Sequence, residues 1–145
     1  MKISSNRKAF YEYFILEEFN CGIVLLGSEV KSIRQGNLTM QDSFAYIKDN
    51  EVWVKNLKVS RYKQVHLSEP HDENREKKLL LNRKEINKII KHLQDKGTTL
   101  IPLEIFVLRN KIKVKIGIAK GKKLWDKKEK IKNKDLIRQM KVDLS

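Results

Sequence analysis

A mainly β protein is what this sequence predicts: antiparallel strands forming a barrel or a sandwich, flanked by α-helices and followed by a basic C-terminal tail. Three observations lead there. Residues 111 to 118, Lys-Ile-Lys-Val-Lys-Ile-Gly-Ile, alternate strictly between lysine and apolar residues or glycine, the period of a half-buried strand. Only one stretch carries strong helical spacing, with Ile86, Ile89, Ile90 and Leu93 on one stripe. The third is a change of composition near Lys120, after which ten basic and four acidic residues fill the last 26 positions.

The elements follow in chain order. Tyr11 to Ile15 is a short strand candidate. Ser28 to Gln35 reads as a helix with Val30 and Ile33 inward, Lys31 and Arg34 outward, and Gly36 ending it. Ser43 to Lys48 and Glu51 to Leu57 are strands separated by Asp49-Asn50. Tyr62 to Asn74 contains Pro70 and two histidines without periodicity, so it is expected to be a long loop. The helix after it starts at Asn82 with Glu85 three residues on, and stops at Gly97. Leu100 to Leu108 is apolar at Ile101, Leu103, Ile105 and Val107, and Arg109-Asn110 turns it into the alternating strand. In the tail, Leu136, Ile137, Met140 and Leu144 would line one face of a helix that is too charged to form without a surface to bind.

With 145 residues, 40% of them hydrophobic, the chain can bury one core but not two. Its 32 basic against 18 acidic residues leave +14, which implies a polyanionic partner. A membrane-surface binder would need a broad apolar helix face, which the basic end lacks. The charge is concentrated late: residues 1 to 108 carry 18 basic and 14 acidic groups, and 109 to 145 carry 14 and 4. Cys21 is the only cysteine, so no intramolecular disulfide forms. The start lacks an uninterrupted signal-peptide core, and no run approaches a membrane span. A cytoplasmic location is expected.

No constellation suggests catalysis. The acidic residues form no ligand-like clusters, so paired carboxylates around a metal are not to be expected, and a nuclease is disfavoured. His66, His71 and Cys21 match no recurring ligand spacing, and His92 reads as a surface residue. Gly121-Lys122-Lys123 lacks the upstream glycine and the following Ser or Thr of a phosphate-binding loop. No enzyme activity, cofactor or metal is expected. What remains is a basic strand face at Lys111, Lys113 and Lys115, and a basic tail with Trp125 among its lysines. The face is either a phosphate contact or a solvated, aggregation-blocking edge. Trp125 either stacks on a base or packs back on the barrel.

A set of motifs, in one order along nearly the whole chain, narrows this further. They are Asn6-Arg7-Lys8-Ala9, Tyr13-Phe14-Ile15, Gly27-Ser28-Glu29-Val30-Lys31-Ser32, Asp42-Ser43, and Lys78-Leu79-Leu80-Leu81 with Glu85-Ile86. Val114-Lys115-Ile116-Gly117, Ala119-Lys120-Gly121-Lys122-Lys123 and Asp126-Lys127-Lys128 complete them. In these the sequence resembles the SsrA-binding protein, or small protein B (SmpB), family. The resemblance implies an OB-fold antiparallel β-barrel over residues 1–119, with flanking helices. It also implies a basic tail, 120–145, disordered when free and helical on the ribosome. The implied partner is transfer-messenger RNA, whose transfer-RNA-like domain the barrel would bind, standing in for the missing anticodon stem-loop.

The complex would enter a stalled ribosome, reaching its decoding centre and message channel, and meet elongation factor Tu indirectly through the RNA. A monomer is expected. The implied RNA-binding residues are Asn6, Arg7, Lys8, Glu29, Lys31, Leu80 and Lys113; the implied ribosome-binding residues are Gly121, Lys122, Lys123, Trp125, Asp126, Lys127 and Lys128. Two positions depart from the family pattern. Asn20 stands where many members have an acidic residue, and Trp125 where many have Tyr or His. The alternative from composition alone is a general ribosome-associated RNA-binding protein or RNA chaperone.

Overall fold

The computed structural model describes residues 1–60 and 72–122. In chain order its elements are β1 (Lys2–Ser5), α1 (Arg7–Glu12), β2 (Tyr13–Ile23), α2 (Gly27–Arg34), β3 (Leu38–Thr39), β4 (Phe44–Lys48) and β5 (Glu51–Lys55). Then come β6 (Lys58–Val59), β7 (Lys77–Leu80), α3 (Arg83–Leu93), β8 (Thr98–Leu108) and β9 (Lys111–Gly121). Most of the expected 62–74 loop, and the tail beyond Lys122, lie outside the described residues.

The strand pairings are antiparallel and they close. Going round, β8 pairs with β4, β4 with β5, β5 with β7, β7 with β2, β2 with β9, and β9 with β8 again. Closure decides for a barrel over a sandwich, as the OB-fold expectation required. Strand β1 adds alongside β8, and β3 pairs with β6 in a small separate ribbon. Both predicted hairpins turn on two residues of positive φ, Asp49-Asn50 at 53° and 59° and Arg109-Asn110 at 50° and 66°. That conformation matches the twist of the flanking strands, and among residues other than glycine Asn and Asp tolerate it well.

The barrel interior is filled by Phe19, Cys21, Val52, Val54, Leu79, Val114 and Ile116, among others, and α3 lays Ile86 and Ile89 against them. A second, smaller cluster of Ala9, Ile101, Leu103 and Ala119 lies where α1 packs on the barrel, with Tyr13 and Ile15 against it. The two clusters explain where simple alternation failed. A register shift between Pro102 and Glu104 puts Leu103 in the second cluster and Ile105 in the interior, although their spacing suggests one face. A like shift between Ile15 and Glu17 separates Ile15 from Phe19 and Cys21.

For that reason β2 was foreseen only in part: it runs on to Ile23, and it starts at Tyr13 instead of Tyr11. The Asn6 side chain accepts a hydrogen bond from the Ala9 amide and starts α1, so Tyr11 and Glu12 are helical. Helix α3 begins as expected, with Asn82 Oδ1 accepting from Glu85 N at 2.9 Å and Glu85 Oε1 accepting from Asn82 N at 3.2 Å. His92, expected on the surface, is half-buried and faces Glu17 at 3.5 Å, beside a 2.7 Å Lys88–Glu17 ion pair. No helix among the described residues is long and apolar enough to cross a membrane.

Candidate nucleic-acid interface

The residues that converge best lie where β2, β7 and β9 meet. Gly22 is in register with Leu80 on one side and Lys113 on the other. A side chain at Gly22 would meet Leu80 Cβ at 3.2 Å, so the glycine lets Leu80 lie close over β2. Around this point runs an open groove of about 340 Å³. Its apolar floor is Ile23, Leu25, Val30, Leu80 and Ile112, and its rim carries Arg34, Lys111 and Lys113. Leu80 is 50% exposed.

The cations of the rim are not equivalent to the other lysines of β9. Lys115 sits between Glu18 at 3.8 Å and Glu104 at 3.7 Å, which neutralise it. Neither Lys111 nor Lys113 forms an ion pair among the described residues, so their charge faces outward unspent. Arg34 Nη2 donates to the Asn110 carbonyl at 2.9 Å and ties α2 to the β8–β9 turn. Lys31 projects from the exposed side of the same helix.

Helix α2 is held from beneath by a buried ionic cluster. Glu29 is fully buried. Its Oε1 accepts from the Leu26 amide at 2.7 Å and from Arg75 Nη2 at 2.6 Å, and its Oε2 accepts from Arg75 Nε at 3.1 Å. Arg75 also donates to the Val24 carbonyl at 3.1 Å. Lys77, fully buried, donates to the carbonyls of Leu57 at 3.0 Å and Arg75 at 2.7 Å, with its Nζ 3.9 Å from Glu29 Oε2. Burial pushes the Glu29 carboxyl up, but the Arg75 and Leu26 hydrogen bonds and the Lys77 charge outweigh it and hold the group below its usual range. Burial, with the Arg75 charge, lowers the Lys77 ammonium to about 8 against the pull of Glu29 and Asp72. Cys21 is buried as well, and its thiol is pushed up by that burial, the opposite of an activated nucleophile.

The other residues implied for RNA lie elsewhere. Asn6 is buried, and its amide donates to the carbonyls of Pro102 at 3.1 Å and Met40 at 3.4 Å. Arg7 and Lys8 are exposed on α1, and Lys8 lies 3.6 Å from Asp42. Tyr13, just after α1, pairs with Gly121, while Gly22 pairs with Lys113. Nine residues of β2 therefore separate α1 from the groove, roughly 30 Å along the strand. The expected single surface is thus two patches. Gly121 ends β9 beside α1, and Lys122 donates to the Phe10 carbonyl at 3.2 Å with its ammonium 5.2 Å from the Phe14 ring. Lys123, Trp125, Asp126, Lys127 and Lys128 lie outside the described residues.

The comparisons with known proteins bear on this arrangement. The family model for SmpB protein matches residues 3–145. The chain belongs to the SmpB family. It is similar to the SsrA-binding protein of Acetivibrio thermocellus, 46% identical over 138 residues that cover 95% of this chain and 89% of that one. It is 45% identical to the SsrA-binding protein of Treponema denticola over 142 residues, covering 98% and 92%. A chain of the solved structure described as "tmRNA-SmpB: a journey to the center of the bacterial ribosome" is 39% identical and superposes with a TM-score of 0.68, covering 82% of this chain and 83% of that one. Family membership joins the groove and the α1 end to one kind of protein, and leaves the role of each residue to the geometry.

Arg34, Arg75 and Lys77 were not singled out for function from the sequence. Arg34 and Lys111 were legible as outward-facing cations. Nothing in the spacing marked Arg75 or Lys77, because their partner Glu29 is 46 and 48 positions away in a different element.

Proposed function

We infer that this chain is a non-catalytic RNA-binding adaptor of ribosome rescue. Its barrel binds the transfer-RNA-like domain of transfer-messenger RNA through the Leu80–Lys113 groove, and its basic tail, 120–145, engages the stalled ribosome. The observation that carries this reading is the groove itself: an exposed leucine beside Lys111 and Lys113, which form no ion pair among the described residues, where three strands meet. Structured RNA is recognised by shape and backbone, which suits a basic rim around an apolar contact. Family membership supports the choice of RNA, as does the naming of the relatives for SsrA binding and of the solved structure for the bacterial ribosome.

In this reading Lys113, Lys31, Arg34 and Lys111 contact phosphates and Leu80 packs on a sugar or base. Glu29 and Asn6 serve from inside, Glu29 by fixing α2 and Asn6 by starting α1. Arg7 and Lys8 lie at the tail's end of the barrel, with Gly121 and Lys122. Lys123, Trp125, Asp126, Lys127 and Lys128 are the tail residues assigned to ribosome contact in this reading, and no catalytic residue is assigned. In this reading the chain acts in the cytoplasm as a monomer, with elongation factor Tu reached only through the RNA. Isolation of the full chain from cells under mild conditions, with sequencing of the RNA that accompanies it, tests the reading. One dominant transfer-messenger RNA is expected. A broad mixture of RNAs without enrichment would point instead to a general RNA chaperone.

A further inference from the structure

The outward face of β4, β5 and β7 carries a second pattern that the groove does not use. Strand alternation buries Ala45, Val52, Val54 and Leu79 and turns Phe44, Tyr46, Trp53, Lys48, Lys55 and Lys78 outward. The register then sets them side by side: Phe44 opposite Lys55, Tyr46 opposite Trp53, and Trp53 opposite Lys78. Three rings and three cations interleave on one sheet surface. The Phe44 and Tyr46 rings are 6.1 Å apart and tilted, and Phe44 is 38% exposed. This is the surface chemistry of single-strand binding, in which bases stack on rings while lysines track the phosphates.

One detail points to a ligand. Trp53 Nε1 is buried and has no acceptor among the described residues. Lys48 covers the ring, with its Nζ 4.3 Å from the centroid and 3.2 Å from Glu76 Oε2. A buried donor without a partner costs free energy that an incoming acceptor would recover. Lys48 reaches the ring from a flexible four-carbon stem, and its ammonium, paired with a Glu76 that is only partly buried, remains accessible to a competing phosphate.

We propose that the β4–β5–β7 face is a stacking site for single-stranded RNA, with Phe44, Tyr46 and Trp53 as the platform and Lys48 as a cover drawn aside by the strand's phosphates. The occupant is a strand and not a duplex, because only unstacked bases present faces to rings. It is RNA in preference to an acidic peptide, because each nucleotide supplies a flat base for a ring together with a phosphate for a lysine, whereas a run of carboxylates matches only the lysines. The site adjoins the groove: Lys78 and Leu80 are two residues apart on the same side of β7. It does not depend on the groove, since no platform residue lines it.

The test uses the full chain with Trp125→Phe, which leaves Trp53 as its one tryptophan, titrated with a ten-residue oligouridylate. Trp53 emission should be quenched on binding. Phe44→Leu, which keeps apolar bulk but loses the ring, should weaken the quench-detected affinity by about five-fold or more, and Phe44→Tyr should restore it. Lys55→Gln should flatten the log-log salt dependence by ~0.7. Lys113→Ala should leave oligouridylate binding within about two-fold, and any effect it has on structured RNA bears on the groove alone. Unquenched Trp53 emission at an oligomer concentration that saturates anisotropy would overturn the proposal, because the tail would then hold the strand. So would equal affinities for Phe44→Leu and the parent, or an equal loss from Lys113→Ala.

Discussion

Lys113 and Lys115 lie two residues apart on the same face of β9, yet the structure gives them different surroundings. Lys115 is shared by Glu18 and Glu104, whereas Lys113 stands at the groove rim beside Leu80. Lys113→Ala should therefore reduce affinity for a transfer-RNA-like domain and lower the salt slope by up to ~0.9, and Lys115→Ala should change the slope by much less. Filter-binding titrations from low to moderate salt measure both. At the same scale, Glu29→Gln leaves Arg75 and Lys77 without their anion. Breaking a buried pair in this way costs on the order of 3–5 kcal/mol, which should appear as a large drop in unfolding free energy. Because the fold holds the Glu29 carboxyl below its usual 4.5, its contribution to stability is present above that pH and is lost as pH falls through the lowered value. Glu29→Gln should remove that part of the acid-side decline, as read by thermal melts between neutral and acidic pH. Lys77 acts in the opposite sense on the alkaline side. Its folded value of about 8 lies below the unfolded 10.5, so its burial penalty is full below 8 and relieved as pH climbs between the two.

At the level of elements, the tightest seam is where α1 meets the barrel wall. A methyl group at Gly117 would lie 2.7 Å from Leu103 Cδ1 and 3.1 Å from Ile15 Cγ2. Gly117→Ala should cost roughly 1–3 kcal/mol by overpacking, with cooperative unfolding retained, as chemical denaturation would show. The same seam marks the limit of what sequence alone could tell. The β8–β9 hairpin, the β4–β5 hairpin and α3 were legible because each has one period, one buried face and its own turn or cap residues. β2 was legible only at its start, since the shift at Ile15/Glu17 moves its buried set from one cluster to another midway. For the site, Leu80 and Lys113 converge in space, Leu80 named by resemblance alone and Lys113 legible in the strand alternation as well. Arg7 and Lys8 do not join them, because nothing local says that α1 and the groove occupy opposite ends of one strand. Asn6 and Glu29 were expected at the RNA, yet their polar atoms are taken up inside the fold, a distinction that depends on partners distant in sequence.

For the molecule as a whole, the proposed function divides the work between the barrel and the tail. Every described core residue precedes Lys122, and β9 runs through Lys120 and Gly121, which pair with Phe14 and Tyr13. A chain ending at Lys122 should therefore fold and melt cooperatively, whereas cutting at 119 removes the last rungs that hold β2 near α1. The central claim is that the barrel holds the RNA and the tail engages the ribosome. Its most direct test is one comparison of the full chain with the chain ending at Lys122. Each is titrated against the transfer-RNA-like domain, and each is assayed for tagging of a truncated message in a purified translation system. The shortened chain should bind the RNA within about two-fold of the full chain at physiological salt and fail to support tagging. Parallel loss of RNA affinity and tagging, or tagging that persists without the tail, would contradict the account.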